Sequence, residues 1–182
     1  MEARPVANWS DERPRLIAGT VGAVTDALHL KGMPLRDLLA LRTAIGAEIG
    51  SRGYTRTATS LEGEMMERVV ADAYRGVLAP PTSKSIDVIL PDQRAAQVKV
   101  RSLPRGDMRF WQFEDFEFDL CIVISMDRDT SEILFARELS QVELQQNSVV
   151  HKNGGYRLRM TRARVVGADV TDKLNMVYAA LR

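Results

Sequence analysis

Between Ser85 and Ser102 the chain reads SIDVILPDQRAAQVKVRS, two apolar runs joined by the turn-forming PDQR. A hydrophobic core accounts for its valines and isoleucines but not for Asp87, Gln97 and Lys99. Side chains alternate along a strand, so Gln97 and Lys99 share one face and Val98 and Val100 the other. With Ile86 and Val88 on the valine face, Asp87 joins Gln97 and Lys99. A carboxylate, a carboxamide and an ammonium then stand together, oxygen donors beside a positive charge. Asp87 and Lys99 could equally be a cross-strand ion pair on a solvated face, worth little.

The helical pattern before this hairpin adds an acid. Counted from Glu62, the residues Met65, Met66, Val69, Val70 and Ala73 fall on one helical stripe. Glu62 heads that stripe and points toward the sheet and Asp87. Glu64 falls mostly on the outer side, and Glu67 is less well in phase. Glu62 also completes T-x-x-E with Thr59, a capping box, and that role stands beside the first.

An acidic helix, a strand with Asp, a turn, and a strand with x-(D/E)-x-K resembles the PD-(D/E)XK nuclease superfamily, which includes many restriction endonucleases and archaeal Holliday-junction resolvases. The resemblance covers roughly Thr59 to Ser140. Asp87 takes the place of the first acid, Gln97 of the second, Lys99 of the lysine, and Glu62 of the helix acid. Ile86 stands where the name-giving proline would be. The resemblance implies an α/β fold: a restriction-endonuclease-like mixed central sheet of about four to five strands flanked by helices. It also implies a divalent-metal-dependent endodeoxyribonuclease, with Mg²⁺ or Mn²⁺ as cofactor and DNA as partner. Asp87, Gln97 and Glu62 would supply metal ligands, and the Val98 carbonyl could contribute. Lys99 would orient the attacking water or stabilise charge on the phosphate. Gln97 offers only a neutral carbonyl oxygen, so metal affinity should fall. The alternative is a nuclease-like scaffold that no longer cuts and serves as a DNA-binding or protein-interaction module.

Two basic stretches could hold nucleic acid. In VRSLPRGDMRFWQF, Arg101, Arg105 and Arg109 interleave with Phe110, Trp111 and Phe113; guanidinium groups bind phosphates and aromatics stack on bases. The aromatics could instead anchor a loop over the sheet edge. In YRLRMTRAR, Arg157 and Arg159 share a face of an extended segment and could form a basic strip, or protect an edge strand by charge.

Other chemistries are excluded. His29 and His151 lack ligand partners at useful spacing for zinc. No Gly-rich phosphate loop is present, so no nucleotide cofactor is expected. The single cysteine, Cys121, sits in the apolar run LCIVI and reads as a core residue. The 182 residues carry a net charge of +1, so any DNA-binding surface must be local. The polar N-terminus lacks a signal-peptide core, and no apolar run approaches the roughly 20 residues of a membrane span. A cytoplasmic protein off the membrane is expected.

Positioning these residues requires a mixed α/β order. Residues 1–57 read as a helical appendage, with a helix from Pro14 to Leu30 and a second from Pro34 to Gly53 forming an antiparallel hairpin. It could be a dimerisation arm, giving a homodimer, or a DNA clamp, or a cap on the sheet. Residues 58–182 read as the core. A third helix from Thr59 to Gly76 precedes strands SIDVIL and AAQVKVRS. A long connection leads to DLCIVISM, a strand buried on both faces. SEILFAREL follows, then a short helix opened by the Ser140–Glu143 capping box, a late strand in GGYRLRMTRARV, and a C-terminal helix.

Overall fold

The computed structural model describes residues 28–57 and 60–181. Residues 28–39 belong to one compact unit and 40–181 to a second. The expected helix from Pro14 to Leu30, and with it the helical hairpin, lies outside the described residues apart from a short 3₁₀ turn at Leu30–Gly32. Helix α1 (Leu35–Ser51) begins after Pro34, whose carbonyl accepts from the Asp37 and Leu38 N–H groups. Its expected apolar side is not buried: no residue of α1 is.

The second unit is a mixed α/β structure. Helix α2 (Leu61–Tyr74) starts at Ser60, whose hydroxyl accepts the Gly63 N–H. The expected T-x-x-E box is therefore not the cap; Thr59 itself is outside the described residues. Strands β1 (Val77–Leu78), β2 (Val88–Ile89) and β3 (Ala95–Leu103) form an antiparallel meander. The expected strand over SIDVIL shrinks to two residues, and β1 lies where an irregular approach was expected. Strand β4 (Phe110–Phe113) lies inside the long connection, and β5 (Leu120–Asp127) then runs parallel to β3. All eight residues of β5 are buried, as its unbroken apolar run requires of a strand covered on both faces. β6 (Ile133–Ser140) returns antiparallel, and α3 (Gln141–Asn147) opens on the expected capping box, with both of its hydrogen bonds formed.

The late basic stretch is only partly extended. Val149–Val150 is β7, Tyr156–Arg159 is β8, and the chain turns at Met160–Ala163 into the one-turn helix α4, so Arg162 and Arg164 leave the strand. β9 (Ala168–Asp169) and α5 (Thr171–Ala180) complete the unit. The main sheet has six strands ordered β1-β2-β3-β5-β6-β9, and a second sheet has the order β4-β8-β7.

Two hydrophobic clusters cover the main sheet. Met66, Val69 and Val70 of α2 and Leu174 of α5 pack with Val88, Ala96, Val98, Ile122 and Ile124 on one face. Trp111, Phe113 and Leu158 of the second sheet pack with Cys121, Val123 and Leu139 on the other. Each fully buried aliphatic or aromatic side chain contributes about 1.5–3 kcal/mol. Gly167 enters β9 at φ +67, where an added Cβ would stand 2.2 Å from the Glu138 carbonyl oxygen. Among the described residues, no helix is long and apolar enough to cross a membrane.

Candidate active site

The register Val88↔Ala96 sets Asp87 opposite Gln97. Ala96 and Val98 face the α2 cluster, so Gln97 and Lys99 face the other way, while the Asp87 carboxylate lies at the β3 edge on the Val98 N–H. Gln97 and Lys99 thus share a face, and Lys99 is near enough to Asp87 for its charge to lower the Asp87 pKa. One part of the expectation is corrected. α2 packs on the valine face, the opposite side of the sheet from Gln97 and Lys99, not above them.

β2 stops where it meets this site. The Asp87 N–H donates to Ala96 O at 2.9 Å, the Ala79 N–H donates to Asp87 O at 2.9 Å, and no described strand pairs with β3 beyond Ala96 on that side. The Asp87 carboxylate takes over from the missing strand: its Oδ2 accepts the Val98 N–H at 2.8 Å. Burial raises its pKa, against the lowering effects of that N–H, Lys99 and Arg56. Gln97 is 6% exposed, and its Oε1 has no hydrogen-bond partner among the described residues. Lys99 is half-buried with Nζ 5.9 Å from the Phe113 ring centroid. Its charge and that of Asp87 both act on Cys121, whose thiol is fully buried and pushed far up by desolvation, hence inert.

The acid that α2 brings to Asp87 is Glu67, not Glu62. Burial, then the Asp87 carboxylate, raise Glu67 to about 7, while Arg56 opposes them. Arg56 donates from Nη2 to Glu67 at 2.7 Å and from Nη1 to the Ala79 carbonyl at 2.6 Å. Glu64 holds the same linker by accepting from the Arg56 and Thr57 N–H groups and from the Thr57 hydroxyl. The signal for Glu67 was present in the sequence: it lies three and four residues before Val70 and Ala71, both buried, so it flanks the core stripe. Arg56, in the linker TRTATS, carried no such signal.

Glu62 sits in the first turn of α2, in a cleft of about 240 Å³ with Arg101, Arg109 and Arg128 among its lining residues. Among the described residues, no three His, Cys, Asp or Glu side chains group as a metal site. Near the β2 end of β3, Asp87 has the Glu67 carboxylate of α2 close to it, and Gln97 adds an amide oxygen on the other face of β3.

The basic candidates divide. Arg101 donates to the Phe110 carbonyl at 3.1 Å and lies 6.0 Å from its ring, with Arg157 3.9 Å from the same ring. Arg159 is exposed opposite Phe110. Arg105 is committed to Asp127 and Glu132, at 3.0 and 3.1 Å, and braces the β5–β6 turn. Arg109 pairs with Asp107 at 3.0 Å. Trp111 cannot stack on a base. It is 1% exposed and meets Phe135 edge-on at 5.9 Å, because β4 alternation turns Trp111 and Phe113 onto the main sheet. Arg128 was not singled out by sequence; it follows a buried strand in a polar turn, DRDT, with no periodic signal.

No family model matches the chain, and no curated protein matches it.

Proposed function

We propose that the protein is a divalent-metal-dependent DNA endonuclease of the PD-(D/E)XK kind, with its site at the end of β2. The observation that carries this reading is the Gln97 Oε1, buried and without a partner among the described residues, on the strand whose Val98 N–H holds the Asp87 carboxylate. A buried acceptor left unpaired costs about 1–3 kcal/mol, and such an orphan calls for a ligand. Among the described residues, the Asp87 carboxylate shows a hydrogen bond only at Oδ2, which leaves Oδ1 open. A carboxylate oxygen, an amide oxygen and a nearby second carboxylate suit a hard cation such as Mg²⁺ or Mn²⁺. Asp87 and Gln97 would hold it and Glu67 would add charge.

Bound there, the cation would polarise a phosphodiester and acidify a water. The chain's own groups do the rest. Val98 N–H orients the Asp87 carboxylate. Lys99 sets a positive charge on the face that would receive the phosphate. Glu67, raised to about 7, can take or release a proton near neutrality. Arg56, paired with Glu67, offsets part of the repulsion between Glu67 and Asp87. The element order supports the reading as well: helix, antiparallel Asp and Lys strands, then a parallel buried strand.

The second reading, a scaffold that binds DNA without cutting, is favoured by Gln97 itself, since an amide binds cations more weakly than a carboxylate. Cleavage of plasmid and branched DNA with Mg²⁺ or Mn²⁺ decides. Wild type should cut, and Asp87→Ala and Lys99→Ala should each lose about 10²-fold or more. Equal cutting by all three removes the assignment. Gln97→Glu should bind Mn²⁺ more tightly, and absence of metal binding in both forms favours the scaffold.

A further inference from the structure

β3 carries a second feature beyond the carboxylate site. Among the described residues, no strand pairs with β3 beyond Ala96 on the β2 side, where the Asp87 carboxylate takes the Val98 N–H. The direction of its backbone groups follows from the bonds it makes. Ala96 O and Val98 N–H turn to that edge, whereas Ala95 O and Leu103 O bond toward β5, accepting from Asp119 and Arg128 N–H. Alternation therefore turns the Val100 and Ser102 N–H groups to the open edge as well. The 240 Å³ cleft lies along this stretch, lined by Val100 to Leu103, by Ser60 to Gly63, and by Arg109 and Arg128.

Three arginines, Arg101, Arg109 and Arg128, are among the residues that line this cleft. Arg101 and Arg128 each donate to a backbone carbonyl, of Phe110 and Ser102, and neither pairs with a carboxylate among the described residues. Arg109 is paired with Asp107. Against Glu62 and Asp107, the three leave one net positive charge. Planar donors and backbone N–H groups converging on a small concave site are what a phosphate oxygen array requires.

We propose that this cleft holds a backbone phosphate of the DNA strand, next to the phosphate presented to Asp87 and Lys99. The inference rests on the nuclease reading for its choice of ligand. Lys99 and Arg101 lie two residues apart on one face, about 7 Å along β3, so one strand edge would take successive parts of a sugar–phosphate backbone. Glu62 is then a brake on anion binding and not a ligand of the cation.

Affinity for a fluorescein-labelled DNA duplex, measured in EDTA across a salt series, tests this without cleavage. Arg128→Ala should weaken binding about tenfold and reduce the salt slope by about one phosphate contact, and Arg128→Lys should restore part of both. Glu62→Gln should tighten binding several-fold, an outcome that loss of folding cannot mimic. Inorganic phosphate should compete with the duplex for wild type and much less for Arg128→Ala. Wild-type affinity in Arg128→Ala, or weaker binding in Glu62→Gln, overturns the proposal. If these affinity changes appear while no cation supports cleavage, the cleft stands and the nuclease reading fails. If cleavage depends on Asp87 while Arg128→Ala binds as wild type, the reverse holds.

Discussion

Glu67 and Asp87 are two carboxylates placed close together in a partly buried setting, with Arg56 paired to Glu67 and its charge acting on both. That arrangement has a pH signature. Unfolded Glu67 titrates near 4.5, whereas in the folded protein it is raised to about 7 by burial and by Asp87. Between these values the folded state binds more protons than the unfolded one. Stability should therefore fall as pH rises through that window, with the full penalty present above it. Glu67→Gln keeps an oxygen for Arg56 and removes the charge. It should melt higher than wild type at pH 8, with the gap narrowing at pH 5. An identical gap at both pH values, by thermal melts, would show that Glu67 does not titrate in this range.

The second sheet carries the aromatic residues that looked like a base-stacking platform. β4 pairs with β8 in the register Trp111↔Leu158, and both side chains are buried against the main sheet. Phe113 and Phe116 continue the layer with stacked rings 6.2 Å apart. Arg157 and Arg101 meet Phe110, whose side chain turns away from Trp111, so any basic surface here is built on Phe110. The Trp111 Nε1 is buried without a partner among the described residues, so the indole acts there through its area and not through a hydrogen bond. Trp111→Ala should cost about 3–5 kcal/mol, and Trp111→Phe about 1 kcal/mol or less, with DNA affinity unchanged in the latter. Urea denaturation of the two variants checks the difference. A Phe variant as destabilised as the Ala variant would mean that the indole nitrogen has a partner.

At the scale of the whole chain, both hydrophobic clusters are made, among the described residues, by residues from Met65 onward. α1 buries none of its residues, and the boundary between the two compact units falls inside it. The sheet core should therefore fold without the first unit. A chain starting at Ala40 keeps Arg56 and Glu64 and should melt cooperatively within a few degrees of full length. A broad or missing transition would show that the first 39 residues complete the core. The net charge of +1 gives no long-range pull toward DNA, so binding should come from local arginines and vary steeply with salt.

Local patterns made much of this legible. β5 was evident from an unbroken apolar run, α3 from Ser140 and Glu143, and the shared face of Gln97 and Lys99 from alternation with period two. These depend on neighbours within a few residues, where geometry is set by the backbone itself. The short length of β2, the second sheet, the burial of Trp111 and the partner of Asp87 depend on which surfaces meet. Glu62 and Glu67 differ by little more than one helical turn. The acid near Asp87 was settled by how α2 lies across the sheet, and that crossing is set by packing Met66, Val69 and Val70 on Val98 and Ile122, contacts distant in sequence. Arg56 likewise reaches Glu67 and Ala79 because the linker folds back along α2, and no pattern within the linker specifies that path.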